Sequence, residues 1–389
     1  MHSPVPAGTV TAVTAWWRPR ARVGVRRLAR VVLLGAVGAS AACNGAAPPP
    51  PVDATQPPVQ VSATPTAAAT DPAAVRAALD VLLDEAAAIE PLKAVAIAHD
   101  GDVIAERGYR GSTPATPTNI KSASKSVMSA LVGIAIDRGV LEGTDQPIAP
   151  LLRDDLPPDP DPRLAQVTIG HLLSMQAGLG RTSGANYGRW VSSRNWVRSA
   201  LAQPFVDEPG GAMLYSTGST HLLSAILAGA TGRSTLDLAR EWLGPQHGFA
   251  ITAWDRDPQG IHLGGNNMAM STRSLLAFGE LYRNGGRSRD GQQLVPPEWI
   301  EASWQPRTAS RFTGDAYGYG WFLRDIAGEP VRYAWGYGGQ MLYIVPSLRL
   351  TVAMTSDDSE ASARSGHRDA LHQLMGRIIT TVRDGPLAE

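Results

Sequence analysis

Ser122-Ala123-Ser124-Lys125-Ser126-Val127-Met128-Ser129-Ala130-Leu131-Val132-Gly133-Ile134-Ala135-Ile136 is the stretch on which the reading of this chain turns. Its apolar residues leave almost no polar face, so a helix over 122–139 has to be buried. At a separation of three, Ser122 and Lys125 share one helix face, one turn apart. Ser122 falls at the helix N-terminus, where free backbone N–H groups and the dipole favour developing negative charge. Burial penalises an ammonium, so a lysine in this helix is driven toward the neutral amine, which can take a proton.

Lysine is scarce in this chain. Of 35 basic residues only Lys93, Lys121 and Lys125 are lysines, and Ser122 to Lys125 is the single Ser-x-x-Lys. Arginine cannot give up its proton at any working pH, so a lysine retained among arginines calls for a reason. Taken alone, the motif also fits a capping serine with an incidental lysine.

Further along, Met213-Leu214-Tyr215-Ser216-Thr217-Gly218 puts a tyrosine at the entry to a helix, where its hydroxyl can join a serine and a lysine in moving protons. Its plain alternative is a half-buried aromatic. Trp335-Gly336-Tyr337-Gly338-Gly339-Gln340 precedes a strand, and glycines there let backbone approach a ligand and aim an N–H at an oxyanion. A simple turn is the alternative. Gly264-Gly265 and Gly338-Gly339 lack the context of a nucleotide loop. The eight histidines are scattered without metal-ligand spacing, so no metal or other cofactor is expected, and Asp357-Asp358 reads as a solvated turn.

Around this centre, Asp71-Pro72 opens a helix with Val75, Leu79, Leu82 and Leu83 on one face. Two apolar runs flank Asp100-Gly101, a tight-hairpin dipeptide. Short strands are expected over 320–325, 333–336, 341–346 and 348–355, then a helix from about 365 to 382. The middle reads as helices over 122–139, 169–176, 221–230, 236–243 and 272–284. Strands at both ends with helices between them predict an α+β architecture: one antiparallel sheet closed by the two termini and flanked by helices, with a mostly helical region inserted.

Ser122-Ala123-Ser124-Lys125, Tyr215-Ser216-Thr217 and Gly336-Tyr337-Gly338-Gly339-Gln340 occur in the order and rough spacing of the serine hydrolases related to class C β-lactamases and penicillin-binding proteins. Within these, the chain resembles the branch of 6-aminohexanoate-dimer hydrolases and family VIII esterases. The stretches 168–179, 279–286 followed by 295–299, and 319–321 support the resemblance, which covers about residues 75–383. It implies a β-lactamase/transpeptidase-like fold and an acyl-enzyme mechanism on a small ester, amide or peptide. Ser122 would be the nucleophile, Lys125 its proton partner, and Tyr215 the relay to the leaving atom. The backbone N–H groups of Ser122 and Gln340 would form the oxyanion hole. Tyr337, Gly338 and Gly339 stand where many relatives carry a Lys-Thr-Gly or His-x-Gly triplet that helps bind a substrate carboxylate, and Thr217 where many have asparagine. The missing cation favours a substrate without that charge over a β-lactam. Tyr187 and Trp190 lie where the branch has a mobile loop, as substrate contacts or as ordinary packing. A catalytically silent envelope protein that binds cell-wall peptide or a partner is the competing reading.

Lys plus Arg equals Asp plus Glu at 35 each, which removes the basic signature of a nucleic-acid-binding chain. The balance is uneven, because residues 1–42 hold six arginines and no acid, leaving 29 basic against 35 acidic residues beyond. Those arginines, the apolar run 31–42 and the lone Cys43 read as an export signal, with translation starting downstream of Met1. The segment resembles a bacterial lipobox, with Ser40 in place of the usual aliphatic residue, which would tie the protein to a membrane by a lipid on Cys43. Ordinary signal cleavage or an uninvolved cysteine are the alternatives. Residues 43–71, rich in proline and alanine, read as an extended tether, and 72–385 as the folded domain.

Overall fold

The computed structural model describes residues 71–359 and 362–385. The export segment, Cys43 and the tether up to residue 70 lie outside these residues.

Helix α1 (Pro72–Glu85) starts as its sequence requires, with the Asp71 carboxylate accepting from Ala73 N–H. Strands β1 (Leu92–His99) and β2 (Asp102–Gly108) follow as an antiparallel hairpin turning at Asp100-Gly101. After β3 (Thr118–Asn119), a single 3-10 turn over Lys121–Ala123 leads into α2 (Ser124–Asp137). The helical region continues with α3 (Ile169–Leu173), α4 (Tyr187–Val191), α5 (Trp196–Leu201), α6 (Thr217–Thr231) and α7 (Thr235–Trp242). Next come β4 (Ala253–Trp254), β5 (Met268–Met270), α8 (Thr272–Arg283) and α9 (Pro297–Ser303). The chain then returns to strand: β6 (Thr308–Ala309), β7 (Ala316–Tyr317), β8 (Phe322–Ile326), β9 (Glu329–Gly336), β10 (Gln340–Val345) and β11 (Leu350–Ser356). It ends in α10 (Ser362–Ser365) and α11 (His367–Asp384).

The main sheet runs β2-β1-β11-β10-β9-β8-β7-β6, antiparallel throughout, so the N-terminal hairpin joins the C-terminal strands as expected. Strand alternation divides the core. Val95, Ile97, Met341, Tyr343, Val352 and Met354 face α1 and α11, whereas Ala96, Ala98, Leu342, Ile344 and Ala353 face α2 and α8. Both faces are buried, which is why the central strands read as continuous apolar runs rather than alternating ones.

A second sheet, β3-β5-β4, is absent from the sequence reading. Strands of two and three residues are too short to show alternation. This small sheet matters to the site, because Ile120 N–H donates to Met268 O at 2.8 Å and so pins the segment just ahead of Ser122.

Candidate active site

Ser122 sits on a turn held from both sides. The Asn119 side chain accepts from Lys121 N–H at 2.9 Å, and Lys121 itself adopts φ 51°. Ser122 therefore lies two residues ahead of α2 rather than in its first turn, half-exposed, while Lys125 enters the helix and is 1% exposed. Lys125 Nζ donates to Ser122 Oγ at 3.0 Å and to Gly265 O at 2.7 Å. Gly264-Gly265, which carried no meaning in the sequence, is the wall behind this amine: a Cβ on Gly265 would lie 2.1 Å from Thr220 Oγ1 and 2.9 Å from Lys125 Nζ.

Burial lowers the Lys125 pKa to about 7. The other two lysines do the opposite job. Lys93 pairs with Asp357 at 3.1 Å and Lys121 with Asp358 at 2.8 Å, so the Asp357-Asp358 turn neutralises both. Lys125 alone has no carboxylate partner among the described residues, and the neutral amine it becomes near pH 7 can accept a proton from Ser122.

Tyr215 completes the group. Its hydroxyl hydrogen-bonds Ser122, and burial raises its pKa. The Lys125 ammonium lies 5.0 Å from the Tyr215 ring centroid. Tyr215 is placed by the head of α6, whose cap comes from a distant loop instead of from Ser216. Thr217 N–H donates to Ser183 Oγ at 2.8 Å, and Gly218 N–H to Thr182 Oγ1 at 2.7 Å. Thr217 also shares a 2.9 Å hydroxyl contact with Ser183, which gives a physical role to the threonine that stands where many members of the resembled family have asparagine. The helix begins four residues earlier than the apolar pattern alone suggested.

These groups open onto a cavity of about 690 Å3 lined by Ser122, Tyr215, Thr217, Tyr187 and Asn266 among others. Tyr187 lines this cavity and accepts from Asn266 Nδ2 at 3.0 Å. Trp190 is a correction. It is 2% exposed, donates from Nε1 to Trp196 O at 2.9 Å, and packs against Tyr187, Trp196 and His221. It supports Tyr187 and does not line the cavity.

The glycine segment is corrected as well. Tyr337 lines the cavity, but Gly338, Gly339 and Gln340 do not. A Cβ on Gly338 would meet Asp357 O at 2.6 Å, and one on Gly339 would meet His367 at 2.7 Å. Close packing against the C-terminal elements explains these glycines. The Gln340 amide is fully buried and clasps Ser356, donating to its carbonyl at 2.8 Å and accepting from its N–H at 3.1 Å. Trp335, near the end of β9 and two residues before Tyr337, lines the cavity as well. Sequence reasoning also missed Arg181, Phe312, Phe322 and Arg368; a count of which aromatic and cationic residues stay near glycine-rich loops would not have singled them out, since each arrives from a different element.

A family model described as Beta-lactamase matches residues 86–375, more than half of the chain. Several solved structures share the fold. A protein assigned as a 6-aminohexanoate-dimer hydrolase, from Bacillus anthracis, is 18% identical over 76% of this chain and 82% of its own, with a TM-score of 0.61. EstCE1, described as a hydrolase with promiscuous acyltransferase activity, is 17% identical over 77% and 99%, at 0.60. A family VIII carboxylesterase is 16% identical over 78% and 97%, at 0.59. At such identities the likeness is one of fold, a β-lactamase/transpeptidase-like sheet with its helical region. Together with the matched span, which takes in the Ser122 turn, Tyr215 and the strand pair around Tyr337, this means that the chain belongs to the beta-lactamase family.

Proposed function

We propose that the protein is a serine hydrolase that opens ester or amide bonds through an acyl-enzyme. The observation that carries this reading is the buried, unpaired Lys125 amine 3.0 Å from Ser122 Oγ at the wall of an open cavity. Ser122 Oγ attacks the substrate carbonyl carbon as its proton passes to Lys125 Nζ. The new O–C bond gives a tetrahedral oxyanion, held by the Ser122 N–H and a second backbone donor from the Tyr337–Gln340 turn. Tyr215 then passes the proton to the leaving oxygen or nitrogen as its bond to carbon breaks. Water repeats the sequence on the acyl-enzyme and frees the acid. The hydrolases among the structural neighbours support an enzyme of this kind.

A fluorophosphonate probe tests the assignment: it labels the wild type and not Ser122→Ala. Equal labelling of both removes Ser122 from the mechanism, and absence of both labelling and p-nitrophenyl ester turnover favours the silent binding protein. We also propose, from Cys43 and its flanks, that the protein is exported and lipid-anchored. Incorporation of labelled palmitate that disappears in Cys43→Ala tests this, and equal incorporation in both refutes it.

A further inference from the structure

The cavity in front of Ser122 is lined by four cationic side chains, Lys121, Arg181, Arg364 and Arg368, and, among the described residues, by no carboxylate. The missing Lys-Thr-Gly triplet had pointed to a substrate without charge. The tertiary structure brings cations to the pocket from other elements: the loop before α4, the Ser122 turn and the C-terminal helices.

These cations are not equally free. Lys121 is neutralised by Asp358. Arg181 spends its Nε on the Tyr215 carbonyl at 3.1 Å, and its guanidinium lies 5.3 Å from the Phe312 ring centroid. It makes no ion pair among the described residues. Arg368 is only 15% exposed, lies 5.2 Å from the Trp335 ring centroid, and shares one oxygen of Asp369, whose own side chain is 64% exposed. Each of these guanidinium groups thus rests on an aromatic wall of the cavity with donors to spare. A planar fork of this kind pairs with a carboxylate through two parallel hydrogen bonds, and the pairing strengthens as water is excluded. At the rim, Phe312 is 77% and Tyr337 45% exposed, large aromatic surface for the apolar body of a ligand to cover.

We propose that the substrate carries a carboxylate that pairs with Arg181 and Arg368 while its apolar body lies on Phe312, Phe322 and Trp335. The inference rests on the acyl-enzyme reading and names the substrate class of the same site.

The test uses matched esters and the full chain. On the acyl side, mono-p-nitrophenyl adipate is compared with p-nitrophenyl hexanoate; on the leaving-group side, 4-hexanoyloxybenzoate is compared with its methyl ester. The anionic member is favoured about 10- to 100-fold in kcat/KM on one of the two sides, the scale of a charged hydrogen-bonded contact. Added salt reduces this preference. Arg181→Gln and Arg368→Gln each lower the anionic-to-neutral ratio, chiefly through KM, and Arg181→Lys restores part of it. Equal or better turnover of both neutral esters, or a ratio unmoved in both glutamine variants, overturns the proposal. A second measurement separates it from the acyl-enzyme reading: ligand-observed NMR with 4-phenylbutyrate and 4-phenylbutyramide. If no ester turns over and Ser122 is not labelled, the hydrolase reading fails. Anion recognition still stands if the carboxylate binds wild type better than the amide does and loses that advantage in Arg181→Gln, and falls if the two bind alike.

Discussion

Lys125 and His221 are both sealed in the helical region, and each holds a polar partner at 3.0 Å, yet they do different things. His221 Nε2 faces Asp257 with both side chains fully buried, and the rings of Trp190 and Trp196 close over the imidazole. The other Asp257 oxygen accepts from Gln259 N–H at 2.9 Å and Ile261 N–H at 2.8 Å. The carboxylate is therefore satisfied, and neither residue lines the cavity in front of Ser122. By residue type alone a His–Asp dyad looks more like catalytic machinery than a lysine does. The comparison shows why residue type misleads. A buried carboxylate whose hydrogen bonds are supplied on both oxygens is architecture; a buried amine with no carboxylate partner among the described residues, a hydroxyl in reach and an open cavity beside it is suited to proton transfer. The dyad still serves the site at one remove, because the turn it holds leads to Gly265, which receives Lys125, and to Asn266, which receives Tyr187.

Substitutions at the two pairs should separate these roles. The largest loss is expected at the first pair: Ser122→Ala and Lys125→Arg each lower kcat/KM for an activated ester by about 10^3-fold or more, since arginine keeps the charge but cannot become neutral. Near-normal turnover in Lys125→Arg would break the comparison outright. Tyr215→Phe is next, with a loss of roughly 10^2-fold in kcat and little change in the urea midpoint, because its hydroxyl bonds Ser122 while its ring packing on Tyr317 and Phe322 is kept.

The pH dependence follows from the direction of the Lys125 shift. In the proposed mechanism the working form is the neutral amine, so kcat/KM is expected to rise with pH and to be half-maximal near 7, the value to which burial lowers this lysine. Stability moves the same way. The folded pKa lies below the ordinary 10.5, so between the two values the unfolded chain binds the extra proton and this group's contribution grows as pH rises. Urea midpoints of wild type and Lys125→Met, compared from pH 7 to 10, should converge as pH increases. A constant gap would mean that burial does not depress this lysine.

The smallest effect on activity is expected at the second pair. Asp257→Ala leaves His221 buried and unpartnered and costs about 3 kcal/mol of stability, whereas kcat/KM of the folded protein stays within about threefold. A loss of several hundredfold with unchanged stability would move the dyad into the chemistry.

The fold was legible where local pattern and tertiary position agree. Asp71-Pro72, the Asp100-Gly101 hairpin and the long apolar runs of the C-terminal strands each announce themselves. The β3-β5-β4 sheet, α4, α5 and α9 did not, because two- to seven-residue elements are fixed by what they pack against. At the site, Ser122 and Lys125 stand out through their spacing around the start of one buried helix, and Tyr215 through its place at a helix entry. Trp190 stayed open between substrate contact and packing, and Gln340 was read only through its backbone N–H, because a sequence shows that an aromatic or an amide is near a loop but not which way its side chain turns; here the indole packs on His221 and the side-chain amide clasps Ser356.

What the sequence determined by itself is the Ser122–Lys125 spacing, the helix that buries this lysine, and the sheet closed by both termini, since these depend on periodicity and short spacings. Three lysines among 35 basic residues were visible too, but not that two of them are answered by Asp357 and Asp358 and the third is not. Only the tertiary structure decided the cavity's character. Arg181 and Arg368 lie 187 positions apart in the chain, and no local rule brings both to the wall in front of Ser122. Charge complementarity is a property of surfaces assembled from distant segments, and it is read from the fold.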